Sequence, residues 1–100
     1  MSNPKDQPYV IVRDHMAGVH GGFLVECDKA TKTATLRGAH KIWYWHGAAS
    51  CHGIAMRGLS HKGSKVCPTV AQVMLMDVVE IINASQEGQA SVTEAPEWRP

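Results

Sequence analysis

Residues 9–13, YVIVR, alternate in a way that reads as a β-strand. Val10 and Val12 point to one side, and Tyr9, Ile11 and Arg13 to the other, because successive side chains on a strand face opposite ways. The glycine-rich run DHMAGVHGG interrupts that strand. GFLVECD then predicts a second, with Phe23, Val25 and Cys27 on one face and Glu26 and Asp28 on the other. DKATKT is a polar turn, and TATLRG is rich in β-branched residues, so a hairpin joins the second and third strands. AHKIWYWHG resumes the alternation, with Ile42, Tyr44 and His46 set against Lys41, Trp43 and Trp45 until Gly47 ends it. Ser50 is an N-cap for a short helix to about Leu59, whose apolar side is Ile54, Ala55 and Leu59. Gly53 and Gly58 weaken that helix.

The segment VAQVMLMDVVEII supports two readings. Thr69 with Gln72 forms a capping-box pattern, and Gln72, Asp77 and Glu80 share one helical arc, which favours a helix. Against this, Leu75, Val78 and Ile81 repeat the spacing of Leu36, Ala39 and Ile42, where Gly38 supplies a bend. We take residues 70–82 as strand, bend, strand. Residues 1–8 are polar with two prolines and read as a flexible arm; residues 85–100 read as a polar tail. Trp98 in that tail is expected to dock back, since its ring has a large apolar area to bury. The expected fold is α+β: one domain over residues 9–84, with a small, curled antiparallel sheet of about five strands and one short helix after Gly47.

Composition narrows the function classes. The chain has 100 residues, of which 44% are hydrophobic and 19% charged, an ordinary globular balance. A domain this small buries a modest fraction of its surface, and self-association is one common remedy. The net charge is +1 with no run of like charge, which gives no electrostatic footprint for duplex nucleic acid or an anionic membrane. Three cysteines do not suit a secreted disulfide scaffold, and the N-terminus has no apolar signal core. A soluble cytosolic protein with reduced thiols is expected.

Four groups of residues could carry chemistry. Cys51, His52, His61 and Cys67 offer zinc-type ligands within a short span. Their spacing is poor, because Cys51 and His52 are adjacent and Cys67 has no neighbouring ligand, so no metal is assigned. Cys51 at a helix N-terminus could have a lowered pKa, with His46 or His20 as base; nothing in the sequence fixes that geometry. AGVHGG follows a strand but lacks the Gly-Lys-Ser/Thr ending of a phosphate loop, so a structural turn is favoured, with Arg13 and His20 as polar groups if a ligand approaches. Trp43, Tyr44 and Trp45 put aromatics on both faces of one strand, beside Arg37 and Lys41. A core strand with an oligomer contact is the favoured reading, because such residues are enriched at interface centres.

YVIVR (9–13), AGVHGGFL (17–24), ATLRGAHKIWYWHGA (34–48), VEII (79–82) and Trp98 together resemble a small bacteriophage domain family with no assigned function. The resemblance runs from Tyr9 to Trp98. Cys51, His52, His61 and Cys67 lie outside the family pattern, which leaves the metal reading without family support. The resemblance implies a phage protein acting in the cytoplasm of an infected bacterium or in a virion, and implies no activity.

The expected function is a non-enzymatic phage accessory protein. It would self-associate as a homo-oligomer and bind a phage or host protein, with no cofactor. The alternative is a small-ligand or nucleotide binder that counters host defence signalling through Arg13, His20, Arg37, Lys41 and the tryptophans. A zinc module or a Cys–His enzyme is weaker.

Overall fold

The computed structural model describes residues 7–99. It contains β1 (Tyr9–Asp14), β2 (Gly18–Asp28), β3 (Thr33–Tyr44), α1 (Cys51–Arg57), β4 (Lys65–Val66), β5 (Val70–Leu75), β6 (Val78–Asn83) and α2 (Gln86–Thr93). The fold is α+β, with one antiparallel sheet. Its order is β4-β3-β2-β1-β6, and β5 pairs with β3 as well. Of the expected arm at residues 1–8, residues 1–6 lie outside the described residues.

Connectivity forces the sheet to curl. β5 and β6 are joined by Met76 and Asp77 alone, yet β5 pairs with β3 and β6 with β1. In a flat sheet those two strands would stand ~19 Å apart. Three Cα steps reach only ~11 Å. The row β6-β1-β2-β3-β5 therefore bends round until its ends approach, without closing. Residues 70–82 are thus two strands, and the helical alternative is excluded.

The curl creates two cores. Val10, Val12, Leu36, Ala39 and Leu75 fill its inside. Tyr9, Ile11, Val19 and Ile42 leave the opposite face and pack with Cys51, Ile54, Ala55, Leu59 and Val92 from the helical segments. β1 is buried on both faces, as its apolar run requires. The AGVHGG glycines fit this setting. A Cβ at Gly21 would stand 2.8 Å from the Tyr9 hydroxyl, and one at Gly22 would stand 3.1 Å from the Leu36 Cβ. Small residues are needed where one strand is squeezed between two packed layers.

Three features differ from the sequence expectation. There are six strands rather than about five, because the two-residue β4 adds to the edge of β3 at Ile42 and Tyr44. Residues 33–44 form one strand, with Gly38 at φ 56° inside it. Residues 85–100 hold a second helix where a tail is expected. α2 is capped by Ser85, whose hydroxyl accepts from the Gly88 N–H, and it buries only Gly88 and Val92. Two buried positions four apart leave almost no apolar signal in SQEGQASV, yet they suffice to seat one helical face.

α1 starts at Ser50 as its N-cap and ends at Gly58. Ser91 of α2 closes the helix pair: its hydroxyl accepts from the Leu59 N–H and donates to the Leu59 carbonyl, each at 3.0 Å.

Candidate functional site

The C-terminal end of β3 carries the most distinctive surface. Ile42 is buried, whereas Trp43 is 55% exposed and Tyr44 48% exposed. The core reading of this strand therefore applies to Ile42 and in part to Trp45. Trp45 packs on the helical core, and its Nε1–H donates to the Ala48 carbonyl at 3.2 Å.

Trp43 is covered on one side by the end of the chain. Glu97 forms a parallel bridge with Val66, and the Trp98 N–H donates to the Val66 carbonyl at 2.8 Å. This backbone register sets the Trp98 ring parallel to Trp43, with centroids 5.2 Å apart and planes 6° apart. Lys65 of β4 places its ammonium 4.8 Å from Trp43, 5.1 Å from Trp98 and 5.9 Å from Tyr44. His46 meets Tyr44 edge-on at 5.0 Å. The result is a preassembled aromatic platform around one cation. Such a surface can accept flat or apolar side chains, or a base, at low ordering cost, because its own rings already hold one another.

Trp43 also lines a shallow groove of about 280 Å3, together with Met16, Gly18, Lys41 and Trp45 among others. Here the structure brings three sequence candidates, Lys41, Trp43 and Trp45, to the AGVHGG turn. A second cleft, of about 360 Å3, lies between the β2–β3 hairpin tip and β6, with Cys27, Lys29, Lys32, Val79 and Ile81 on its walls.

The remaining candidates are dispersed. Arg13 pairs with Glu80 at 3.1 Å, and Glu80 also meets His52 at 3.2 Å. Hydrogen bonds from His52 and then Arg13 hold the Glu80 carboxyl below its usual pKa. Arg37 lies over Phe23 at 5.0 Å and donates to the Gln7 side chain. His20 is buried, its Nδ1 has no hydrogen-bond partner among the described residues, and burial, aided by Lys41, lowers its pKa against the pull of the Gly18 backbone and Asp14.

Neither cysteine chemistry nor a shared metal set emerges from the Cys and His candidates. Burial pushes the Cys51 thiol up, and Glu80 adds to this, opposite to the lowering that a helix N-terminus could give. His52 points to Glu80, His61 contacts the Ser91 carbonyl at 2.8 Å, and Cys67 lies beyond β4. Among the described residues no group of three or more His, Cys, Asp or Glu side chains could hold a metal ion. Nor is any helix among them long and apolar enough to cross a membrane.

Sequence reasoning passes over two residues that organise this end of the molecule. Lys65 looks like one loop lysine among several. Asp14 looks like an ordinary turn residue, yet it is buried and accepts from the N–H groups of Met16, Ala17 and Asp77. It thereby ties the β1–β2 turn to the β5–β6 turn. Burial opposes its ionisation, but the Ala17, Asp77 and Met16 donors, with His20, keep its pKa below the usual carboxylate value. A buried carboxylate aimed at several backbone donors has no linear signature in sequence.

No curated protein and no solved structure matches the chain. One family model, described as a domain of unknown function (DUF6948), matches residues 7–92, and the chain belongs to that family.

Proposed function

We propose that this protein is a non-enzymatic binding module that works by self-association and by contact with another protein. The aromatic platform of Trp43, Tyr44 and Trp98 around Lys65 carries the reading. Two exposed rings fixed in place, with a cation beside them, have the composition of an interface centre. A bacteriophage setting, in the infected cytoplasm or a virion, rests on the motif resemblance of YVIVR, AGVHGGFL and IWYWHGA. The partner is then a phage or host protein.

The groove between Lys41, Trp43 and the Gly18 turn favours a second reading, a small nucleotide that stacks on an indole and meets a lysine. Arg13 and Arg37 stand elsewhere, engaged by Glu80 and Gln7, so that ligand would lack the wider set of cations expected for it.

Native mass spectrometry of gently purified protein tests both. An oligomer, or a co-purifying protein lost in Trp43→Ala, supports the binding module. A retained mass of nucleotide size moves the assignment to the second reading. A monomer that captures nothing in wild type or variant removes the first.

A further inference from the structure

The sheet has three outer strands, and the chain treats them differently. β4 receives the C-terminal segment through the Val66–Glu97 bridge. β6 is met by the β2–β3 hairpin tip, where the Val78 N–H donates to the Lys32 carbonyl at 2.9 Å, and it carries Glu80. β5 pairs with β3 alone, and among the described residues nothing pairs with its other edge. Natural sheets blunt such an edge with charge, proline or a bulge. β5, VAQVML, has no charge and no proline, and its register against β3 runs without a shift from Ala34↔Leu75 to Ala39↔Val70. Val70 is 48% exposed and Met74 55% exposed.

We propose that this edge receives β5 of a second copy of the chain, antiparallel, about a two-fold axis through Gln72. The inference rests on the self-association reading above and gives it a surface and a register. The strand sequence carries it. Leu75 and Val73 turn inward with the inner core, so Gln72 and Met74 face outward, and Val70 is half exposed at the start of the strand. Antiparallel pairing keeps like faces together only when a residue meets one of its own set. Pairing Gln72 with Gln72 of the copy places Val70 opposite Met74, and Met74 opposite Val70. Apolar meets apolar on both sides of a central amide pair that can exchange hydrogen bonds, and the strand is its own complement, as a two-fold interface requires. No charge lies on the strand. Arg37, opposite Gln72 on β3, would stand ~14 Å from its counterpart by strand spacing, beyond the screening length.

The test is sedimentation across a concentration series for wild type, Q72K, Q72E and an equimolar mixture of the two variants. The site faces solvent, and circular dichroism of each variant confirms folding. Wild type is expected to dimerise, and each variant alone to dimerise at least about tenfold more weakly, because like charges then face each other across the axis. The mixture is expected to regain dimer, since lysine then faces glutamate at the same point. A wild-type dimer unaffected by either variant would overturn this edge and leave self-association through another surface standing. A wild-type monomer would overturn the dimer itself; partner capture that depends on Trp43 would still stand as a separate result. Variants that weaken dimerisation without recovery on mixing would overturn the register through Gln72.

Discussion

The two halves of β3 share one backbone and lead opposite lives. From Ala34 to Ala39 the strand lies between β2 and β5, and Leu36 and Ala39 are completely buried inside the curl. From Lys41 to Tyr44 the flank on the β5 side shrinks to the two residues of β4, and Trp43 and Tyr44 emerge. The first half shows what the curl enforces: a small interior admits only side chains that fill it. The second half shows where the fold leaves large rings free, and there they cover one another, Trp98 on Trp43, instead of being covered by a layer.

The sharpest way to break that contrast is to shorten one side chain in each half. Leu36→Ala is expected to cost about 2–5 kcal/mol, as for a large-to-small change in a core. Trp43→Ala at an exposed position is expected to cost less than about 1.5 kcal/mol. Urea denaturation of both variants reads the difference, and equal losses would mean that the platform is part of the core.

Next in size is Asp14→Ala. It leaves the N–H groups of Met16, Ala17 and Asp77 without their acceptor, a loss of about 1–3 kcal/mol in the same denaturation assay. The variant should loosen the inner core end of the comparison and leave the Trp43–Trp98 stack in place, which near-ultraviolet circular dichroism would register.

Acid is expected to act on the same corner. His20 has a lowered folded pKa, so the unfolded chain takes up its proton first, and stability begins to fall below about pH 6.5. Asp14 also has a lowered folded pKa. Its contribution is present above the ordinary carboxylate range and is lost as pH falls through the folded value. Melting temperature measured from pH 8 downward should fall in these two stages, and His20→Gln should remove the first. A flat profile between pH 7 and 5 would contradict the burial of His20.

The smallest effects belong to the platform. Trp98→Ala is expected to cost about 0.5–1.5 kcal/mol through the lost stack, and Lys65→Met about 0.5–1 kcal/mol through the lost cation contacts. Thermal melts resolve the first, and tryptophan fluorescence reports both. A Trp98→Ala loss as large as that of Leu36→Ala would make the terminal segment a structural strand in its own right.

Much of the architecture was legible in particular residues. YVIVR announced a strand by its alternation, whereas its burial on both faces was decided by the two packed layers. Ser50 marked the start of α1, which ends at Gly58 rather than at about Leu59, and the spacing of Leu75, Val78 and Ile81 marked two strands with a break. α2 was not legible, because a helix that buries only a glycine and a valine leaves no periodic signal. The candidate site was half legible. IWYWHG drew attention to the right segment, but which ring is buried depends on the flanking strand, and on Trp98 and Lys65 far along the chain.

The sequence by itself determined the strand alternation, the helix cap, the chain's near-neutral charge and the concentration of aromatics at residues 43–45. These are local or additive properties, set by neighbours a few residues apart. Only the tertiary structure decided that the sheet curls and stays open, that Asp14 joins two turns, that Cys51 is a buried thiol, and that Trp43 faces solvent under Trp98. Each of these depends on pairing between residues distant in the chain, where the gain from packing and backbone hydrogen bonds outweighs local preference.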